Sequence, residues 1–295
     1  MSTNLLFVSK FSLTFLALCA FAGNSVLCRW ALAEFAMNPA QFTLLRLVSG
    51  AGALAVIVRI AQQKGPRGAF ERPRKATWWG ALWLTAYAYC FAYAYVGLAT
   101  GVGALILFTA VQMSMLAIGA WRGTRYGAIE IVGILLALSG FLYLVWPQFT
   151  APFTAIAVLL MTLAGIAWGA YSTVGRGSKA PLSDTKTHFV RASLLSSPLL
   201  LMGILYSNLH WQPVLLALLS GVVTSAIGYA LWFKVLPHLR VTSAAVGQLS
   251  VPLIAALGGF LFVGEALSLR FVISSAVTLG GILLVITYRA STAKQ

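Results

Sequence analysis

The sequence predicts an all-α integral membrane protein with ten transmembrane helices, and three observations support this fold class. Of the 295 residues, 60% are hydrophobic and only 8% are charged, whereas a soluble domain carries about 25% charged residues. Apolar runs of about 20 residues, each long enough to cross a bilayer as a helix, recur from end to end. The Lys and Arg residues gather in alternate loops between these runs.

Short connections join the predicted spans, apart from the longer segment 61–77, so no soluble domain is expected. The ten spans cover residues 11–33, 40–60, 78–98, 101–121, 127–146, 152–174, 187–206, 213–233, 241–263 and 269–288.

One stretch in span three, TAYAYCFAYAYVGL, has an aromatic ring at every second position from Tyr87 to Tyr95, which is the period of a β-strand. A membrane barrel would repeat such alternation along the chain, and here it occurs once among continuous apolar runs. Because a spanning segment must satisfy its own backbone hydrogen bonds, we predict a helix. Its rings form two opposite stripes, one of Tyr87, Phe91 and Tyr95 and the other of Tyr89 and Tyr93.

The basic residues predict the orientation of the chain. Sixteen of the 20 Lys and Arg residues lie on one side of the ten-span arrangement, whereas the opposite side holds only Arg270. Because basic loops are retained in the cytoplasm, both termini are expected there, in a bacterial inner membrane. The net charge of +15 then reflects topology and contact with membrane lipid, and no nucleic-acid partner is expected.

Similar segments predict an internal repeat, with residues 1–147 as one five-helix unit and 148–295 as the other. FTLLRLVSGAGAL in span two resembles THFVRASLLSSPL in span seven and aligns Arg46 with Arg191. Because each unit has an odd number of spans, the second is inverted relative to the first. Inverted repeats are common in secondary transporters, whose substrate site lies near the midplane, so transport is predicted.

Four motifs carry a resemblance to a known family. They are FAGNSVLCRWAL in span one, FTLLRLVSGAGAL after Pro39, AWGAYSTVGRG in span six and SAAVGQLSVPLIAALGGFLFVGEAL through span nine. They resemble the EamA branch of the drug/metabolite transporter superfamily, and the tyrosines of span three with Trp168 and Tyr171 look most like the YddG-type aromatic amino acid exporters. The resemblance implies a basket of helices around a cavity lined by spans one, three, four, six, eight and nine, and export of amino acids or other small metabolites.

Aromatic residues deep in the spans are the first candidates for the cavity. Tyr89 and Tyr93 lie one turn apart, where rings can stack on a solute and hydroxyls can bind its polar end; anchoring at the membrane interface is the alternative. Trp168, Tyr171 and Ser172 share one face of span six, with helix packing as the alternative.

Polar residues in other spans are the second group of candidates. Tyr229 lies in span eight, and Asn24, Gln112 and Gln248 are amides inside spans one, four and nine. An amide in hydrocarbon needs a hydrogen-bond partner, which a watered cavity or a helix interface can supply. Thr109 lies one turn before Gln112 and shares its face.

Arg46, Arg191 and Pro252 are predicted to act as a gate or hinge. An intramembrane cation is a functional hypothesis by default, and Arg29, Arg46 and Arg191 could clamp a carboxylate. Each lies within about two turns of a predicted span end, however, within reach of the membrane surface. Pro252 inside span nine removes a backbone hydrogen bond and can hinge that helix.

The residues that the sequence lacks exclude several functions. No paired carboxylates, metal-ligand cluster or nucleotide-binding motif occurs, so no enzyme activity, metal or cofactor is expected. No Asp or Glu falls at mid-membrane, and a proton-coupled transporter usually needs one, so we predict facilitated transport. Ten helices suffice to enclose a cavity, so a functional monomer is expected. Export of other small metabolites or drug-like solutes is the alternative to amino acid export.

Overall fold

The computed structural model describes residues 2–64, 77–147, 152–175, 178–204, 210–235, 239 and 247–292. Helices dominate these residues, and none of those described lies in a strand. The ten helices are α1 Ser2–Ala33, α2 Pro39–Lys64, α3 Trp78–Gly97, α4 Thr100–Trp121, α5 Ala128–Val145, α6 Pro152–Gly175, α7 Pro181–Ile204, α8 Trp211–Val235, α9 Val251–Val263 and α10 Leu269–Thr292. The prediction of an all-helical chain is confirmed for the described residues, and span three is a helix.

Seven of these helices, α1, α2, α4, α5, α6, α8 and α10, contain a stretch that is long and apolar enough to cross a membrane. The α9 helix is apolar but shorter. The α3 and α7 helices are less hydropathic because α3 is rich in tyrosine and tryptophan and α7 begins with polar residues. The chain is therefore a multi-pass membrane protein.

The structure corrects the prediction for spans seven and nine. The α7 helix begins at Pro181, earlier than the predicted start at residue 187, with Pro181 and Asp184 in its first turn, where both residue types are favoured. The α9 helix begins at Val251, and Pro252 lies in its first turn, where a missing N–H breaks no helical bond. The prediction placed Pro252 in the middle of a helix, whereas it lies in the first turn of α9. Residues 241–246 and most of the basic segment 61–77 lie outside the described residues.

Two packing groups organise the bundle. The α5 and α10 helices pack closely along each other; a Cβ at Gly140 would lie 2.8 Å from the Thr278 nitrogen and 3.1 Å from the Ser274 oxygen, so small residues set this contact. In the larger group, α1 packs against α8 and α9, α6 packs against α3 and α4, and α2 packs against α7 and α8. The interior enclosed by α1, α2, α3, α6 and α8 holds the polar residues described next.

Candidate functional site

Arg46 of α2 is a cation buried inside the helix bundle, with only 3% of its surface exposed. Its Nε donates to Ser225 Oγ at 3.2 Å, and its Nη2 donates to Tyr87 Oη at 3.4 Å. The guanidinium carbon lies 5.4 Å from the ring centroids of both Tyr87 and Phe91. In the part of the chain that the structure describes, Arg46 forms no ion pair with an Asp or Glu side chain. Such a buried cation favours an anion beside it.

Asn24 of α1 joins the same polar group. Its Nδ2 donates to Tyr87 Oη at 3.4 Å, while its Oδ1 accepts from Ser220 Oγ at 2.7 Å and Thr224 Oγ1 at 3.5 Å. All of these side chains lie near the middle of their helices or within two turns of it. We call this set the Arg46 centre; it consists of Asn24, Arg46, Tyr87, Ser220, Thr224 and Ser225.

The hydroxyls of the Arg46 centre come from an unusual part of α8. Residues Ser220–Ile227 form a π-helix between two α-helical segments, and such wide turns occur frequently at functional sites. The π-helical segment presents Ser220, Thr224 and Ser225 to α1 and α2, where all three are buried.

Gly221 in the same π-helical segment permits close approach of α8 to α2. A Cβ at this position would overlap the Arg46 carbonyl oxygen and Ser49 Oγ, and it would lie 2.9 Å from the Gly50 nitrogen. The absence of a side chain therefore brings Ser225 within hydrogen-bonding distance of Arg46. Sequence and packing together fix the position of this arginine.

An aromatic cluster borders the Arg46 centre and is built around Trp168 of α6. The centroid of the Trp168 ring system lies 4.7 Å from that of Tyr87, 5.3 Å from Tyr171 and 5.7 Å from Tyr229. Tyr229 also contacts Phe21 of α1 at 5.8 Å. Since Tyr87 belongs to both groups, a polar, cationic region and an aromatic surface meet at one residue. We call Tyr87, Trp168, Tyr171 and Tyr229 the aromatic cluster.

Five of the predicted site residues come together here, namely Asn24, Arg46, Trp168, Tyr171 and Tyr229. The other stripe of α3 does not join them. Tyr93 is 43% exposed, Tyr89 is half-buried, and neither has a ring contact with the cluster among the described residues. The helix therefore turns the Tyr87 stripe inward, opposite to the prediction.

Among the described residues, the side chains of the remaining candidates for the cavity make no bond to the side chains of the Arg46 centre. Thr109 and Ser172 donate to carbonyls of their own helices, those of Leu105 and Trp168 at 2.7 and 2.8 Å. Gln112 and Gln248 are half-buried, and within the described chain neither has a side-chain bond to the Arg46 centre.

The three residues predicted as a gate or hinge occupy different environments. Arg46 lies in the interior, although its position near a predicted span end would have allowed its side chain to reach the membrane surface. Arg191 is half-buried on α7, with its guanidinium carbon 4.8 Å from the Trp78 ring centroid. Pro252 lies at the start of α9.

One end of the bundle is joined by an ion pair. Arg29 Nε lies 3.0 Å from Glu265 Oε1, and Arg29 Nη1 donates to the Tyr95 carbonyl at 2.8 Å. The second carboxylate oxygen of Glu265 accepts from the Thr100 backbone N–H at 2.7 Å. The pair thus ties α1 and the α3–α4 connection to the α9–α10 connection.

Sequence reasoning missed four residues of the Arg46 centre: Tyr87, Ser220, Thr224 and Ser225. Three hydroxyl residues within six positions of an apolar span were a visible signal in α8. Tyr87 gave no such signal, because only the packing of α3 distinguishes its stripe from that of Tyr89.

The fold and this interior site define a class: a helical, multi-pass membrane protein with a buried polar and aromatic centre. Residues 155–287 match the model of the EamA-like transporter family. The chain is 44% identical to an uncharacterized protein of Pseudomonas aeruginosa over 96% of both chains. It is also 23% identical to an uncharacterized transporter of Archaeoglobus fulgidus, over 66% of this chain and 70% of that one.

A crystal structure of another protein covers 95% of this chain and 98% of its own, with 19% identity and a TM-score of 0.64, which is a likeness of fold alone. The chain therefore belongs to one family with the Pseudomonas protein along its length, and its second half is an EamA-like transporter domain. It is a membrane transporter.

Proposed function

We propose that the chain exports amino acids, aromatic and large neutral ones above all, across a bacterial inner membrane. The observation that carries this proposal is the contact between the aromatic cluster and the Arg46 centre near the middle of the bundle. An aromatic amino acid has a ring for the faces of Trp168 and Tyr229 and a carboxylate for Arg46. A transporter binds its substrate at this depth.

An inverted repeat is part of the proposal, and the helix packing supports it. If α1–α5 correspond in order to α6–α10, then α1 corresponds to α6, α8 to α3 and α9 to α4. The packing of α1 on α8 and α9 then corresponds to the packing of α6 on α3 and α4. Both sets of contacts occur in the bundle. The α2–α7, α4–α9 and α5–α10 contacts each map onto themselves. Such symmetry suits a transporter that alternates between two openings.

The distribution of basic loops favours cytoplasmic termini. In that orientation the Arg29–Glu265 ion pair lies at the periplasmic end and holds it closed, so substrate would enter from the cytoplasm. Among the described residues, no Asp or Glu side chain forms an ion pair with Arg46. We therefore propose facilitated, proton-independent transport. We also propose that the functional unit is a monomer.

The test is counterflow in liposomes containing the purified protein. Vesicles are loaded with an unlabelled amino acid, and uptake of labelled phenylalanine, tryptophan, threonine and glutamate is followed with and without a pH gradient. We expect faster uptake of the aromatic and neutral solutes at a rate that is independent of the gradient. Counterflow of none of them would contradict amino acid export, and dependence on the gradient would contradict facilitated transport.

A matched pair of variants links transport to the aromatic cluster. Trp168→Ala removes the central ring, whereas Trp121→Ala removes a ring that is 89% exposed at the end of α4. We expect Trp168→Ala to weaken phenylalanine counterflow by about tenfold, the size of one aromatic contact in a binding site, and Trp121→Ala to leave it unchanged. Equal effects of the two substitutions would show that the aromatic cluster does not bind the substrate.

A further inference from the structure

We infer that the Arg46 centre recognises a carboxylate and that it does not require an ammonium group beside it. The inference rests on the proposed function and extends its substrate class: aromatic 2-hydroxy acids, which have a hydroxyl in place of the amine, are transported as well as aromatic amino acids. Hydrogen-bond accounting in the Arg46 centre carries this conclusion.

The first step concerns the hydroxyl of Tyr87. Its oxygen accepts N–H groups from both Asn24 and Arg46, and neither an amide NH₂ nor a guanidinium can accept in return. In the orientation that the structure gives Asn24, the amide oxygen accepts from Ser220 and the amide nitrogen faces Tyr87. In this arrangement the phenolic hydrogen of Tyr87 is left to donate, and no acceptor for it occurs among the described residues.

Ser225 repeats this situation on the other side of the guanidinium. Its Oγ accepts from Arg46 Nε, so its own hydrogen is also available as a donor. Only two of the five guanidinium N–H groups of Arg46 donate to side chains in the described structure. The centre thus offers a charged fork flanked by two O–H donors, which matches the paired oxygens of a carboxylate.

An ammonium group, by contrast, finds few partners here. It needs acceptors, and the Asn24 oxygen already accepts from Ser220 at 2.7 Å. The described part of the chain places no carboxylate against Arg46, and the buried guanidinium repels a second cation. The faces of the aromatic cluster can tolerate an ammonium group, yet they do not demand one.

Two analogues of phenylalanine separate the two charged groups of the substrate. Phenyllactate keeps the carboxylate and replaces the ammonium with a hydroxyl, whereas phenylalaninamide keeps the ammonium and loses the carboxylate charge. Each is added to liposomes containing the native protein as a competitor of labelled phenylalanine, and labelled phenyllactate is also followed directly. Protein-free liposomes report leakage.

We expect phenyllactate to compete within about threefold of phenylalanine and to be taken up. We expect phenylalaninamide to compete at least tenfold less well, which is the loss typical of one hydrogen bond to a charged group.

The outcomes distinguish this inference from the proposed function. If phenylalanine is transported but phenyllactate neither competes nor is taken up, the inference is overturned and the proposal of amino acid export stands. Competition by the amide as strong as that by phenyllactate would overturn it as well. Transport of neither phenylalanine nor phenyllactate would remove the proposed function, and the inference would fall with it.

A second test uses two tyrosines of the same helix. Tyr87→Phe keeps the ring and removes the spare O–H donor, and Tyr93→Phe is the matched control on the exposed stripe. We expect Tyr87→Phe to raise the concentration for half-maximal competition by phenyllactate about tenfold and to change that of phenylalaninamide little. An equal shift for both competitors would assign Tyr87 a merely structural role.

Discussion

Arg46 and Arg191 occupy matching positions in two similar segments of the chain, yet the structure gives them different surroundings. Arg46 is 3% exposed and bonds to α3 and α8 in the interior. Arg191 is half-buried and lies over the ring of Trp78 near one end of α3. Two segments of similar sequence therefore have different roles in our proposal. The first half supplies the binding cation Arg46 and the Tyr87 hydroxyl, and the second half supplies the Ser225 hydroxyl that also accepts from Arg46.

Neutralising each arginine gives the largest expected contrast. Arg46→Gln removes the buried charge and should weaken phenylalanine binding by about 2–5 kcal/mol, the cost of removing one partner of a buried charge pair, so that counterflow is lost. Arg191→Gln removes a cation with a partly exposed ring contact and should change initial rates less than about fivefold. Initial rates of counterflow at equal protein in the vesicles are the measurement, and similar losses in the two variants would end the distinction between the halves.

Closing the space between α2 and α8 should have the next largest effect. Gly221→Ala places a methyl group against the Arg46 carbonyl and Ser49, and such overpacking costs about 1–3 kcal/mol. Gly52→Ala is the control on α2, because a Cβ there would meet no atom within 4 Å. Thermal unfolding in detergent should show a lower Tm for Gly221→Ala alone; an unchanged Tm would show that α8 does not pack so closely.

The ion pair at the end of the bundle should give the smallest effect. The side chains of Arg29 and Glu265 are 20% and 15% exposed, so solvent screens them in part and their coupling should be about 1 kcal/mol. A double-mutant cycle with Arg29→Gln, Glu265→Gln and the double variant measures it through Tm. If the Tm changes of the two single variants add up to that of the double variant, the ion pair does not hold this end of the bundle closed.

Much of the fold was predictable, because transmembrane helices leave long apolar runs in a sequence. Seven helices lie close to their predicted spans, whereas α1 begins nine residues early and α7 six residues early. The largest difference is in α9, which begins ten residues late. That difference arises at Pro252, which periodicity alone places inside a span but whose missing N–H suits a first turn. The inverted repeat stays a prediction that the packing symmetry supports.

The candidate site was less predictable, and α3 explains why. Its two stripes of rings are equivalent in composition, so the sequence alone could not say whether Tyr87 or Tyr89 faces inward. The position of Arg46 near a span end suggested reach to the surface, but Gly221 and the π-helical turn of α8 provide partners in the interior. Both features depend on contacts between helices far apart in sequence, and a single sequence does not reveal such contacts.

The most direct test of the central claim is an experimental structure of the chain with phenyllactate bound. We predict that the ligand carboxylate lies within hydrogen-bonding distance of Arg46 and of the Tyr87 hydroxyl, with its ring against Trp168 or Tyr229. A carboxylate bound elsewhere, at Arg29, Arg191 or the amides of Gln112 and Gln248, would contradict the account.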